Sequence, residues 1–385
     1  MARTAATAAI VMATLAGGLA TSAAAADEPV IETLTVPELD AWALSPDGTL
    51  VAGVHGDVQN PDEWCLHELP SGTERWCIDA APGGEPLVIG PNWLPDGSAF
   101  VATESLLGEP DVWRIDAATG EATDLTDDGY AGRWRDLRAT IGPGDPPLHL
   151  DIYPVVSPDG TSVAFLRSTT TDTAESSVSL QLVPVAGGSA RELATLPTML
   201  SRWPAWSKDG QWVHWVEDGD RGGDVIGSVA LDGSPGRRIH LSDPDGGDLL
   251  PSRIRATLAD GRLLMDAQCE LFGDCHTWLV DPVTGIAETL LAESEDDPSL
   301  VILAVTGSRD GRRVVALLRR GEAVQVEVID PTTRQTRAIP LPGFDATRST
   351  GIRWLTEDRI LVGGDELHPR DHLVISLPAA WDPGG

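Results

Sequence analysis

The 385-residue chain contains a single lysine, Lys208, and its 27 basic residues face 59 acidic ones, a net charge of −32. That deficit excludes a general surface for nucleic acid or anionic membranes, both of which need clustered positive charge. No Gly-x-Ser-x-Gly elbow, His-Glu-x-x-His run or glycine-rich phosphate loop occurs, so no motif points to a serine hydrolase, a zinc peptidase or a nucleotide site. No stretch sustains a helical period; the apolar runs are strand-length and bounded by Gly, Pro and Asp. There are only four cysteines, and no second Cys/His pair completes a zinc spacing, so no structural metal is expected.

What is present begins with an export signal. Arg3 opens a short positive region, small apolar residues dominate Ala5 to Ala20, and Ser22 to Ala26 offer Ala-x-Ala cleavage sites. Residues 1–26 therefore read as a secretory signal peptide, too short and too Ala/Gly-rich for a membrane anchor. No cysteine near the cleavage site supports a lipid-modified N-terminus. Residues 27–385 are expected to form one domain, a monomer without a transmembrane segment, secreted or held in the cell envelope. In that oxidising setting the cysteines read as two disulfides. Cys65 and Cys77 flank the turn Pro70-Ser71-Gly72-Thr73, which places them opposite each other on a hairpin. Cys269 and Cys275 flank a second tip, Glu270 to Asp274.

The strongest internal signal is a repeat. Ser45-Pro46-Asp47-Gly48, Leu94-Pro95-Asp96-Gly97, Ser157-Pro158-Asp159-Gly160, Ser207-Lys208-Asp209-Gly210, Leu258-Ala259-Asp260-Gly261 and Ser308-Arg309-Asp310-Gly311 each precede a short apolar run. Thr356-Glu357-Asp358-Arg359 is a degraded seventh copy. A period near 50 residues marks a stacked or closed array. Proline presets φ, Asp accepts local backbone hydrogen bonds, and Gly tolerates positive φ, so each copy is a tight turn between two strands. Four strands per unit predict an all-β, seven-bladed β-propeller of four-stranded blades. The last repeat lacks a fourth strand, while Val30 to Val36 forms a strand-like run before the first. That run is expected to complete the last blade and close the ring; six blades with an irregular extra segment is the alternative. Trp42, Trp93, Trp206 and Trp354 precede their turns and are expected to fill the wedges between blades rather than form a sugar-binding surface.

One step is longer: 63 residues separate Asp96 from Asp159. The surplus lies in residues 129–150 and carries Arg133, Trp134, Arg135 and Arg138, a cationic cluster in an acidic chain. Long loops on rigid scaffolds often carry function, which makes these four the candidate binding residues. Pairing with nearby carboxylates to pin the loop is the competing reading.

The turn-and-strand repeat, best matched by Ser45-Pro46-Asp47-Gly48, Ser157-Pro158-Asp159-Gly160 and Trp206-Ser207-Lys208-Asp209-Gly210, resembles the TolB-like, WD-repeat-like propeller family. The resemblance spans roughly residues 30 to 378. It implies a propeller fold, and it spans several jobs: protein-interaction modules in the periplasm, the propellers of prolyl oligopeptidase-type peptidases, and lyases acting on sugar acids. The peptidase case lacks support here, because neither a hydrolase domain nor its nucleophile elbow is present.

Other constellations are weaker. His368 and His372 are four apart, but Pro369 argues against a helix that would align them. Asp243-Pro244-Asp245-Gly246-Gly247-Asp248 resembles part of a calcium loop, yet Ile254 stands where the loop's distal Glu belongs. Glu217, Asp218, Asp220 and Asp224 form a similar polar tip. No cofactor is expected, calcium being the one alternative. These readings give a non-enzymatic scaffold that binds a protein or peptide partner, with a lyase or hydrolase working at the central channel as the alternative. Convergent side chains around the axis would favour catalysis.

Overall fold

The six Asp-Gly turns share one backbone hydrogen bond, and four of them a serine–aspartate bond as well. In the first, Gly48 N–H donates to Ser45 O (2.9 Å) and Gly48 has φ 68°. The Ser45 hydroxyl donates to Asp47 Oδ1 (2.6 Å), and the same oxygen accepts from Thr49 N–H at 3.0 Å. Ser157–Asp159, Ser207–Asp209 and Ser308–Asp310 repeat the 2.6 Å bond. The seventh copy differs. Arg359 replaces the glycine, and Thr356 pairs directly with Arg359, so Glu357 and Asp358 alone make the turn. A residue with a Cβ resists the left-handed conformation used by the six glycines, and a shorter hairpin avoids it.

The computed structural model describes residues 28–34, 39–57, 60–79, 89–103, 111–127, 147–171, 176–197, 204–218, 224–243, 253–266, 276–293, 299–344, 350–364 and 372–378. Among them, 28 strands pair into seven four-stranded antiparallel sheets. After β1 (Val30–Leu34), blade one is β2 (Asp40–Leu44), β3 (Leu50–Asp57), β4 (Asn60–Glu68) and β5 (Glu74–Asp79). Blade two is β6 (Ile89–Trp93), β7 (Ala99–Thr103), β8 (Val112–Asp116) and β9 (Ala122–Asp124). Blade three is β10 (Leu148–Val156), β11 (Ser162–Thr170), β12 (Ser176–Pro184) and β13 (Arg191–Leu196). Blade four is β14 (Ala205–Trp206), β15 (Trp212–Asp218), β16 (Asp224–Ala230) and β17 (Arg237–His240). Blade five is β18 (Arg253–Thr257), β19 (Leu263–Asp266), β20 (His276–Val280) and β21 (Ala287–Ala292). Blade six is β22 (Leu300–Gly307), β23 (Val314–Arg320), β24 (Ala323–Ile329) and β25 (Thr336–Pro340). Blade seven is β26 (Thr350–Thr356), β27 (Arg359–Gly364) and β28 (His372–Ser376), completed by β1.

The ring is a seven-bladed propeller closed by its N-terminal strand. β1 pairs antiparallel with β28 from Val30↔Ser376 to Leu34↔His372, so the strand-like run before the first repeat is the outer strand of the last blade. This arrangement leaves no place for a six-bladed ring.

The core is divided into sectors, one at each of the seven blade junctions. Strand alternation explains the division. In β7, Phe100 and Ala102 face blade one while Ala99 and Val101 face blade three. A strand covered on both faces must be apolar at every position, and β7, Ala-Phe-Val-Ala-Thr, is wholly buried. Two of the expected wedge tryptophans join neighbouring blades through hydrogen bonds as well as packing. Trp93 Nε1 donates to Ala43 O (3.2 Å) and Trp206 Nε1 to Val155 O (3.0 Å). Trp354 packs in the junction of blades six and seven, with the Arg313 guanidinium 4.9 Å over its ring. The Trp42 side chain lies outside the described residues. The Cys65–Cys77 disulfide is present, on directly registered partners of β4 and β5 with Cα atoms 4.2 Å apart. Cys269 and Cys275 lie outside the described residues. No helix of the described residues is long and apolar enough to cross a membrane.

Candidate functional site: the axial channel

The first strand of every blade lies at a sheet edge, and residues of these strands and their turns line a cavity of about 1200 Å³ on the axis. Its lining includes the second residue of five of the turns: Pro46, Pro95, Pro158, Lys208 and Arg309. The prolines ride over the next blade's glycine. A Cβ on Gly97 would lie 3.6 Å from Pro46 Cδ, and one on Gly160 would lie 3.0 Å from Pro95 Cδ. Lys208 reaches further, past blade five. Its stem runs against Gly311 and its Nζ donates to Arg309 O at 2.5 Å. Arg309 in turn sends Nη2 to Pro95 O (2.8 Å), from blade six to blade two, nearly opposite in a ring of seven. Two cationic side chains therefore span the turn-side mouth. Burial holds the Lys208 ammonium below the ordinary lysine value, against the pull of the Asp310 and Glu357 carboxylates.

Further along the axis the lining includes Arg253, Arg255, Asp266 and Arg353. β18 carries Arg253 and Arg255 either side of Ile254, and a bulge between Ile254 and Ala256 leaves Arg255 out of the ladder register. The Arg255 guanidinium donates through Nε to Asp266 Oδ2 at 2.6 Å. Asp266 is almost fully buried, and burial raises its carboxyl above the usual carboxylate range despite the two arginines of β18. Tyr153 of blade three packs against the core between blades three and four, within reach of the charge of Arg253. It sits at the bulge between Ile152 and Val155 in β10 with φ 57°, a conformation non-glycine residues adopt only at a cost. Burial raises its phenol above the ordinary tyrosine value, while the charge of Arg253 works in the opposite direction.

Among the described residues the cavity is lined by five cations, Lys208, Arg253, Arg255, Arg309 and Arg353, and one carboxylate, Asp266. Whole-chain composition runs the other way, 27 basic to 59 acidic. The described lining is thus more basic than the chain as a whole.

The sequence-based candidates fall elsewhere. Arg133, Trp134, Arg135 and Arg138 lie outside the described residues, as do His368 and residues 244–252, which hold most of the calcium-like loop. His372 is buried in β28. Glu217 is buried and paired with Arg238, so its carboxylate serves a guanidinium. Two groupings of metal-type ligands occur among the described residues, His55–Cys65–His67 and Glu63–Cys65–Cys77, and both draw on sulfur committed to the disulfide. The channel arginines escape sequence reasoning because each reads as part of an ordinary strand. The usable signal is the pair of arginines in a strand leading into an Asp-Gly turn, and so in the first strand of its blade.

No family model and no curated protein matches this chain. Solved structures do. An oligogalacturonate lyase in complex with manganese superposes with a TM-score of 0.59 at 13% identity, covering 92% of this chain and 99% of that one. An oligogalacturonate lyase from Vibrio parahaemolyticus gives 0.55 at 14% identity, over 93% and 100%. A puromycin-hydrolyzing peptidase of Mycobacterium tuberculosis gives 0.55 at 16% identity; 89% of this chain covers 52% of that protein. At such identities the likeness is one of fold, and it agrees with the TolB-like propeller expected from the turn repeat.

Proposed function

We propose that the protein is an exported binding scaffold that receives a segment of a protein or peptide partner in its axial channel. The observation carrying this reading is the cavity of about 1200 Å³ bordered by the edge strands of all seven blades. Edge strands offer backbone donors and acceptors beyond those that side chains take at Ala43 O, Val155 O and Trp206 O, and an extended segment can meet them. With Lys208 and Arg309 across the turn-side mouth, entry is from the opposite face. The Cys65–Cys77 disulfide supports export, since such bonds persist in oxidising compartments. The scaffold works as a monomer. The test compares three proteins for what they retain from native culture fluid: the wild-type chain, the channel-filling variant Ala304→Trp, and a variant with Arg133, Trp134 and Arg135 changed to Ala. A partner lost only on filling the channel supports the axial reading; one lost only with the loop variant moves the site to the 129–150 connection.

A second reading, an enzyme working at the channel, draws on the strained Tyr153, the charge of Arg253 and the raised carboxyl of Asp266. Two of the similar structures are lyases, one holding manganese. The described channel lining offers no histidine and a single carboxylate, already paired with Arg255, so these residues do not fit such a metal. Incubation with oligogalacturonate tests the reading: unsaturated product that disappears in Tyr153→Phe would establish it, and no product would retire the lyase.

A further inference from the structure

We propose that reducing the Cys65–Cys77 disulfide converts one face of blade one into a zinc site held by Cys65, Cys77, His55 and His67. The site is independent of the axial reading, since none of the four is among the residues that line the axial cavity.

Strand alternation assembles it. Trp64 and Leu66 of β4 pack toward blade two and Cys65 toward blade seven, so Glu63, Cys65 and His67 share the second face. Gly53 of β3 is the ladder partner of Cys65 on one side, and Cys77 of β5 on the other. His55 lies two residues beyond Gly53, and His67 pairs with Val51, two before it. With no side chain at Gly53 between them, the two imidazoles meet, and their Nε2 atoms are 3.4 Å apart. Two zinc–nitrogen bonds of about 2.0–2.1 Å meeting at the tetrahedral angle hold their nitrogens about 3.3–3.4 Å apart. The Cys65 sulfur lies within 4.8 Å of a ring nitrogen of each histidine. His67 is also oriented as zinc ligands are. Its Nδ1 is 3.2 Å from Gly72 O, which can only accept, so Nδ1 carries the proton and the Nε2 lone pair is available. His67 is buried while His55 and Cys77 are half-buried, which leaves one side open to metal and reductant.

A small dithiol supplies the electrons. One of its thiolates attacks the Cys77 sulfur, the S–S bond breaks, and Cys65 leaves as a thiolate. The second thiol of the reductant then displaces Cys77, and the reductant departs as its disulfide, having given two electrons to the protein. The β4–β5 ladder keeps the two sulfurs neighbours. Zinc takes both as thiolates, and the two thiol protons go to solvent. Glu63, with a carboxylate oxygen within 4.8 Å of both sulfurs, is placed to take up a thiol proton on the way. At the histidines, ligation replaces the contact between the two Nε2 atoms by two bonds to metal, and His55 holds its proton on Nδ1. Two thiolates cancel the charge of the ion, so its burial leaves no net charge in the blade. Sulfur and imidazole together form a ligand set that suits zinc.

The test uses the chain from residue 27, oxidised or reduced with a small dithiol that is then removed under argon, with zinc or cobalt(II) alone as the probe. The reduced chain is expected to take up one zinc at least about a thousandfold more tightly than the oxidised chain, which lacks both thiolates. Cobalt(II) is expected to give the intense visible absorption of a tetrahedral thiolate site. The same uptake is expected in a Cys269→Ser, Cys275→Ser variant, whose only cysteines are Cys65 and Cys77. His55→Gln and His67→Gln are each expected to weaken zinc at least about a hundredfold. Should reduction unfold the chain, zinc is expected to restore the fold of the reduced wild type and not that of the histidine variants. Equal zinc affinity of the oxidised and reduced chains would overturn the sulfur ligands. Uptake lost in the Cys269→Ser, Cys275→Ser variant would assign the metal to the other cysteines. Zinc affinity and a cobalt spectrum unchanged in both histidine variants would reduce the site to an ordinary dithiol and overturn the proposal.

Discussion

The two parts of the channel use positive charge differently. At the turn-side mouth, Lys208 and Arg309 direct their donors to backbone carbonyls of other blades' turns, tying blade four to six and six to two. Deeper along the axis, Arg253, Arg255 and Arg353 line the cavity beside Asp266, the one carboxylate of the described lining. The same residue chemistry thus serves as a strap at one place and as part of the cavity wall at the other. What separates them is the partner shown: carbonyls of tight turns for Lys208 and Arg309, the Asp266 carboxylate for Arg255.

The sharpest way to break this contrast is through the turns themselves. Gly261 and Gly311 occupy the same turn position with φ 87° and 73°. A Cβ at Gly311 would lie 2.5 Å from Ala259 N, whereas one at Gly261 would meet nothing within 4 Å. Gly311→Ala is expected to cost about 3 kcal/mol or more, Gly261→Ala about 1 kcal/mol. Equal shifts in urea midpoint would mean that the turns do not interlock as described.

Next in size is a pH effect in blade four, beside the strap. Burial lowers His214 from 6.5 to about 4, against the charge of Asp209, and its Nδ1 lies 2.8 Å from Ser228 Oγ. The folded value lies below the unfolded one. Stability is therefore full above about pH 6.5 and is lost as pH falls toward 4, by about 3 kcal/mol. His214→Gln, tested by denaturation at several pH values, is expected to flatten that limb; an unchanged limb would show that other groups cause it.

The strap should give a smaller effect. Lys208→Met and Arg309→Ala are each expected to cost about 1 kcal/mol, since their bonds to carbonyls are partly solvated. A double-mutant cycle should come out close to additive, because the Lys208 ammonium is bonded to the backbone carbonyl of residue 309, which Arg309→Ala retains, while the Arg309 side chain bonds Pro95 O. A large coupling would mean that the two side chains do not act on separate carbonyls. The smallest effect belongs to a single turn carboxylate. The Ser157 hydroxyl and then the Thr161 N–H hold Asp159 below the usual carboxylate range. Its contribution is present above the unfolded carboxylate value and lost as acid protonates the folded one. Asp159→Asn is expected to remove a few tenths of a kcal/mol of that acid sensitivity. A melting temperature that falls as far in acid as the wild type's would exclude this role.

Much of the ring is legible in the chain's own residues. Turn chemistry is local, so Ser-Pro-Asp-Gly announces its own geometry, and the spacing of the copies counts the blades. The pairing of Val30–Leu34 with β28 follows from counting strands at the two ends of the array. The Cys65–Cys77 bond follows from the turn centred between them. The site is much less legible. Arg133 to Arg138 stand out because they interrupt the period, while Arg253 and Arg255 sit inside it and look like any strand pair.

The amino-acid sequence by itself determined the number of blades, their order and the way the ring closes, because these depend on turns and strand periodicity that act over a few residues. Only the tertiary structure decided which charges meet. Lys208 lies 101 residues from Arg309, and Arg309 lies 214 from Pro95. The axial lining likewise gathers single strands from seven repeats. Ring closure creates that proximity, and no local pattern encodes it.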